Sequence, residues 1–138
     1  MIEKRFLKEN KIDKEAKARL TEIITNYLLE REDIIFAYLH GSFMEDNGFR
    51  DIDIALFMKE PVEELKTESD LSCDLREKTG YPVEVRIINR ASVAFQMAIL
   101  RKGSVLLSRS EDMRTDFIEK VGRKYREYVH FRNIVMSV

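Results

Sequence analysis

Phe36-Ala37-Tyr38-Leu39-His40-Gly41-Ser42-Phe43 and, after a short connection, Arg50-Asp51-Ile52-Asp53-Ile54-Ala55-Leu56-Phe57 decide how this chain is read. The first run is an apolar strand that ends in a Gly-Ser pair. The second alternates, and a strand turns successive side chains to opposite faces. Asp51 and Asp53 therefore share one face while Ile52, Ile54 and Leu56 point to the core. Two carboxylates about 4 Å apart repel by roughly 4 kcal/mol at an effective dielectric of about 20. A divalent cation turns that repulsion into attraction. A Gly-Ser pair at a strand-to-helix turn presents backbone N–H groups and a hydroxyl to a phosphate. The chemistry that suits this region is a metal beside a phosphate.

Composition narrows the setting. At 138 residues the chain is read as one domain, 1–138, with residues 1–12 as a flexible arm. That length buries roughly two-thirds of the surface an unfolded chain exposes. Glycine and proline are few, which excludes a fibrous or disordered chain. A net charge of −1 argues against a general nucleic-acid coat protein. The charge is uneven, with acids concentrated in residues 44–84 and bases in residues 4–19. The single cysteine, Cys73, rules out an internal disulfide and suits a reducing compartment. No apolar leader opens the sequence and no segment has the length of a membrane span, so a cytoplasmic protein without a membrane partner is expected.

Periodicity sets out the elements. Asp13 caps a helix to about Arg31, with Ala16, Leu20, Ile23, Ile24, Tyr27 and Leu28 at helical spacing. Strands are expected at about 33–40 and 51–58, with a helical turn from Ser42 and a turn at Asp46-Asn47-Gly48. Pro61 opens a second helix that Gly80 closes. In Pro82–Ile88, Val83, Val85 and Ile87 take one face, and Glu84 and Arg86 the other. Asn89 caps a helix through Lys102, a short strand covers 104–108, and a long helix runs from about Glu111 to Val135. Helices and strands in this alternation imply an α/β fold, a small sheet with helices packed on it.

Two-metal chemistry needs a further acid, and Glu84 is the best placed. Gly41-Ser42, eight residues, Asp51-x-Asp53 and a lone strand carboxylate form a more specific pattern than any of its parts. At these residues the chain resembles the DNA polymerase β-like nucleotidyltransferase superfamily. More narrowly, it is similar to the minimal nucleotidyltransferase (MNT) antitoxins paired with HEPN-domain toxins. The resemblance extends through Ile88-Asn89-Arg90-Ala91 and Ile99-Leu100-Arg101-Lys102-Gly103 into a final helix rich in Tyr and Arg.

That resemblance implies the nucleotidyltransferase fold, a small mixed β-sheet flanked by α-helices. It implies transfer of AMP from ATP to a tyrosine hydroxyl of a HEPN-type RNase toxin encoded nearby. Gly41 and Ser42 would then hold the triphosphate. Asp51 and Asp53 would bind Mg²⁺, and Glu84 would complete the metal site and activate the hydroxyl. No direct nucleic-acid binding is implied, and a homo-oligomer is compatible with the reading. Three positions depart from the family pattern: Phe43 where a base is frequent, Arg50 where a small residue is frequent, and Glu84 where Asp is usual. They keep two alternatives open, an antitoxin acting by binding alone and a nucleotidyltransferase acting on a small-molecule hydroxyl.

Simpler structural roles accompany each residue. Asp51 and Asp53 can be exposed edge carboxylates, Glu84 the partner of Arg86 or Arg50 in an ion pair, Gly41 a turn glycine and Ser42 a helix cap. His40 reads as a strand end and Cys73 as a packed helix residue. Tyr125, Tyr128, Val129 and Phe131 read as a helix face against core or partner.

Overall fold

The most continuous apolar run, Ile34–His40, becomes the strand that is covered on both faces. The structure, a computed structural model, describes residues 9–46 and 48–137. Its elements are α1 (Lys14–Leu29), β1 (Ile34–His40), a single 3₁₀ turn (Gly41–Met44), β2 (Ile52–Met58), α2 (Glu64–Thr79), β3 (Val83–Ile87), α3 (Val93–Lys102), β4 (Ser104–Ser108) and α4 (Glu111–Met136). The sheet runs β3-β2-β1-β4. β1 pairs antiparallel with β2 and β4, and β2 pairs parallel with β3. The result is the mixed α/β sheet that the sequence implied.

The core lies on both sides of this sheet. Ile34, Ala37, Leu39, Ile52, Ile54 and Leu56 pack with Ile24 and Leu28 of α1 and Leu71 and Leu75 of α2. Ile35, Phe36, Tyr38 and Ala55 pack with Ile99 of α3 and with Phe117 and Val121 of α4. A bulge separates the two sets on β1: Ile34 faces Met58 and Phe36 faces Phe57, so Ile35 is the extra residue. The bulge puts Ile35 and Phe36 on one side, which strict alternation would forbid.

β3 is an edge strand, and α2 covers its outer edge in a regular way. Glu68 accepts from the Ile87 N–H (2.8 Å), Ser72 from the Val85 N–H (3.0 Å), and Arg76 donates to the Val83 carbonyl (3.1 Å). Helix residues four apart rise about 6 Å and strand residues two apart about 6.6 Å, so one helical stripe matches one strand edge. Buried edge groups are thus satisfied without another strand. This stripe fixes β3 against β2.

Helix ends depart from the sequence reading in two places. Asp13 caps α1 through the Ala16 N–H, and Gly80 ends α2 in the left-handed conformation, both as expected. α2, however, begins at Glu64 rather than at Pro61, because Val62 packs on the core before the helix starts. α3 is capped by Ser92, not Asn89. The Asn89 amide is used elsewhere: its Oδ1 accepts from the Met58 N–H and its Nδ2 donates to the Met58 carbonyl, both at 2.9 Å. It imitates a strand peptide at the end of β2.

Two packing expectations also change. Cys73 is exposed on α2, since the buried position beside it goes to Ser72, whose hydroxyl the edge of β3 needs. In α4 only Phe117 and Val121 are buried; Tyr128 and Phe131 face solvent, and Phe131 is 68% exposed. Of the expected arm, residues 1–8 lie outside the described residues, as does Asn47 of the expected turn. Asn10 is tied to Phe49 by two backbone hydrogen bonds (2.7 and 3.0 Å). Among the described residues no helix is long and apolar enough to cross a membrane.

Candidate active site

Register brings the acids together. Asp53 is the second residue of β2 and Glu84 the second of β3, and the parallel pairing sets them side by side. The antiparallel pairing sets His40 beside Asp53 on its other flank. His40, Asp53 and Glu84 thus form a row across three strands. Asp51, one step before β2, falls on the same face. One carboxylate oxygen from each of Asp51, Asp53 and Glu84 lies within 4.8 Å of the others, a spacing able to hold a divalent cation.

The cluster is electrostatically tense. The Asp53 carboxyl is pushed up to about 7, first by burial, then by the charges of Asp51 and Glu84 and a hydrogen bond with Asp51; Arg86 opposes the rise. Crowded carboxylates that cannot all ionise are what a bound cation relieves. Burial also lowers the basicity of His40. Glu84 and Arg86 form an ion pair at 2.9 Å, with both side chains about half exposed. Glu84 thus stands beside Asp51 and Asp53 and is paired with Arg86 at the same time.

Gly41 is dictated by Asp53. Its φ is +78°, and a Cβ built there would lie 2.2 Å from Asp53 Oδ2. Only glycine lets the turn run under the carboxylate. Ser42 follows in the 3₁₀ turn, where its hydroxyl accepts from the Arg50 N–H at 3.2 Å. The backbone of Arg50, rather than its side chain, ties the Gly-Ser turn to the strand that brings the acids.

Phe43 points into the core. It is 3% exposed and meets Phe49 edge to face at 4.7 Å. The cation near this turn comes instead from α1. The Lys17 ammonium donates to the carbonyls of Phe43 (2.9 Å) and Glu45, and stands over the Phe43 ring at 5.1 Å. In the sequence Lys17 is only one of the bases concentrated in residues 4–19. Its spacing, four residues after the cap at Asp13, carries no signal of a tertiary contact.

A second cavity, about 220 Å³, lies between Phe57 of β2, α3 and α4, away from the acids. On the acid side a cavity of about 280 Å³ is lined by His40, Asp53, Glu84, Arg86 and Phe95. An acidic trio, a glycine turn under one of its members and a serine hydroxyl beside it are the kinds of group that phosphoryl chemistry draws on.

Residues 22–112 match the family described as Polymerase beta, Nucleotidyltransferase, and the chain belongs to that family. No curated protein matches the chain by sequence. Among solved structures it is similar to a chain of a toxin–antitoxin complex with AMP-PNP, at 19% identity and a TM-score of 0.74, over 85% of this chain and 95% of that one. It is also similar to a chain from the tri-AMPylated Shewanella oneidensis HEPN toxin in complex with MNT antitoxin (17%, 0.68, 85% and 96%). A chain of the toxin–antitoxin MntA–HepT is similar at 15% identity and a TM-score of 0.66, over 91% and 97%. At these identities the likeness speaks for the fold.

Proposed function

We propose that this chain is an antitoxin that transfers AMP from ATP to a tyrosine hydroxyl of a HEPN-domain RNase toxin and so silences it. The observation that carries the reading is the Asp53–Glu84 register pair with Gly41 beneath Asp53. The complexes of similar fold, one with an AMPylated HEPN toxin and one with AMP-PNP, support the choice of partner and nucleotide.

Asp51, Asp53 and Glu84 would hold Mg²⁺, which when bound would neutralise charge on the phosphoryl oxygens. The Gly41-Ser42 turn holds the triphosphate through its backbone and the Ser42 hydroxyl. Glu84 orients the acceptor hydroxyl and takes its proton. The phenolic oxygen forms a bond to the α-phosphorus, the bond from that phosphorus to the bridging oxygen breaks, and pyrophosphate leaves. Positioning and charge neutralisation account for most of the rate in such transfers, so few protein groups suffice. A reaction drawing on ATP and Mg²⁺ fits the cytoplasm.

A second reading, neutralisation by binding alone, draws on the Glu84–Arg86 ion pair, which ties up the third acid. Intact-mass spectrometry of the co-expressed HEPN partner separates the two. An AMP-sized increment that vanishes with Asp51→Asn/Asp53→Asn supports catalysis. An unmodified partner that still co-purifies and stays neutralised supports binding.

A further inference from the structure

We propose that the groove between β3 and the N-terminal end of α3 seats the acceptor, with Phe95 and Arg86 gripping the aromatic ring that carries the reacting hydroxyl. The proposal rests on the AMP-transfer reading above.

The direction of approach follows from in-line displacement. The attacking and leaving oxygens lie on opposite sides of the phosphorus. The Gly41-Ser42 turn flanks Asp53 from the β1 side, whereas Glu84 flanks it from the β3 side. With the leaving pyrophosphate at the turn, the acceptor enters over Glu84.

A groove opens there. It has a volume of about 600 Å³ and a floor on β3, from Glu84 to Ile87. Leu65 and Glu68 of α2 form one wall, and Ala91, Ser92 and Phe95 the other. The smaller cavity beside the acids shares three of its residues with this groove: Glu84, Arg86 and Phe95. Whatever passes from the groove to the acids passes Phe95 and Arg86.

Those two side chains suit a phenol. The Arg86 guanidinium stands over the Phe95 ring at 5.5 Å, and the His40 ring meets Phe95 edge-on at 5.9 Å. A ring entering the junction meets one aromatic wall and a guanidinium plane, and both favour aromatic partners. An aliphatic hydroxyl would find no such contacts. Leu65 supports a protein acceptor: it is 82% exposed on the outer wall, an apolar lip in reach of residues flanking the ring.

The test is steady-state AMP transfer to the purified HEPN partner by wild type, Phe95→Ala, Phe95→Tyr, Arg86→Ala and Leu65→Asp. Melting temperatures are read alongside. We expect Phe95→Ala to raise KM for the partner by about tenfold, the scale of a lost aromatic contact with its buried area. KM for ATP stays unchanged and Phe95→Tyr restores most of the loss. Leu65→Asp, fully on the surface, raises the same KM without altering the melt. A rise in KM for ATP instead would make the junction the seat of the base and overturn the proposal. Unchanged partner KM in Phe95→Ala and Leu65→Asp would overturn it while leaving the AMP-transfer reading standing. A wild-type protein that binds the partner but transfers no AMP would overturn both.

Discussion

Gly41 and Asp53 are one steric unit. A methyl at position 41 would overlap Asp53 Oδ2, and the left-handed backbone there adds about 1–2 kcal/mol of strain for any other residue. Asp53 must swing away or the turn must open. We predict that Gly41→Ala leaves the chain folded with a slightly lower melting temperature but weakens Mn²⁺ binding at least as much as Asp53→Asn does. Isothermal titration with Mn²⁺ checks this apart from any transfer assay; undiminished affinity in Gly41→Ala would sever the link between the turn and the acids. Lys17 acts at the same scale from the opposite side, holding the carbonyls of Phe43 and Glu45. It ties α1 to the far end of the turn, where the Phe43 side chain is turned into the core.

At the scale of elements, the stripe Glu68-Ser72-Arg76 on α2 is what keeps Glu84 level with Asp53. Removing the Ser72 hydroxyl leaves the Val85 N–H buried without a partner, which costs roughly 1–3 kcal/mol. We predict that Ser72→Ala lowers unfolding free energy in urea by that amount, while Cys73→Ala stays within about 0.5 kcal/mol of wild type. Native Cys73 should also react readily with a thiol reagent, because it is exposed. α4 divides in the same manner. Val121→Ala should cost about 1.5 kcal/mol or more, whereas Phe131→Ala should leave the melt unchanged, since the helix leaves the core after Val121. The contrast also marks what the sequence could say. Alternation in Asp51–Phe57 and in Pro82–Ile88 sufficed to put Asp51, Asp53 and Glu84 on one face, opposite Ile52, Ile54, Val83 and Val85. It did not show that helices pack on that face as well. Asp13 and Gly80 announced their helix ends. Long-range hydrogen bonding was silent. Asn89 has the chemistry of a cap but is taken by Met58, thirty-one residues away, so the cap passes to Ser92. The bulge at Ile35 and the reach of Lys17 likewise depend on partners that neither residue's neighbours reveal.

For the whole molecule, stability should answer to pH through the acid cluster. Lys and Arg number 24 against 25 Asp and Glu, so no large net charge dominates the profile near neutrality. Above pH 5, where ordinary carboxylates are ionised, Asp53 and His40 are the groups whose shifts bear on stability. The folded state holds the Asp53 proton up to about 7, whereas the unfolded chain releases it near 3.8. Between those values the unfolded state is favoured increasingly by ionisation, so stability from this group falls as pH rises and levels off above 7. His40 runs the other way: burial lowers its basicity, so its contribution grows as pH rises toward its ordinary value of 6.5. Asp53→Asn isolates the first effect. We predict that metal-free wild type loses melting temperature between pH 5 and 7.5 relative to Asp53→Asn. On the proposed reading, Mg²⁺ would bind the ionised cluster of the folded state only and should return that loss at pH 7.5. At a hundredfold excess over Kd the gain is about 2.7 kcal/mol. The same addition should leave Asp51→Asn/Asp53→Asn unmoved. Parallel pH profiles for wild type and Asp53→Asn would mean that Asp53 is already ionised in the fold, with its charge held by Arg86 rather than awaiting a cation.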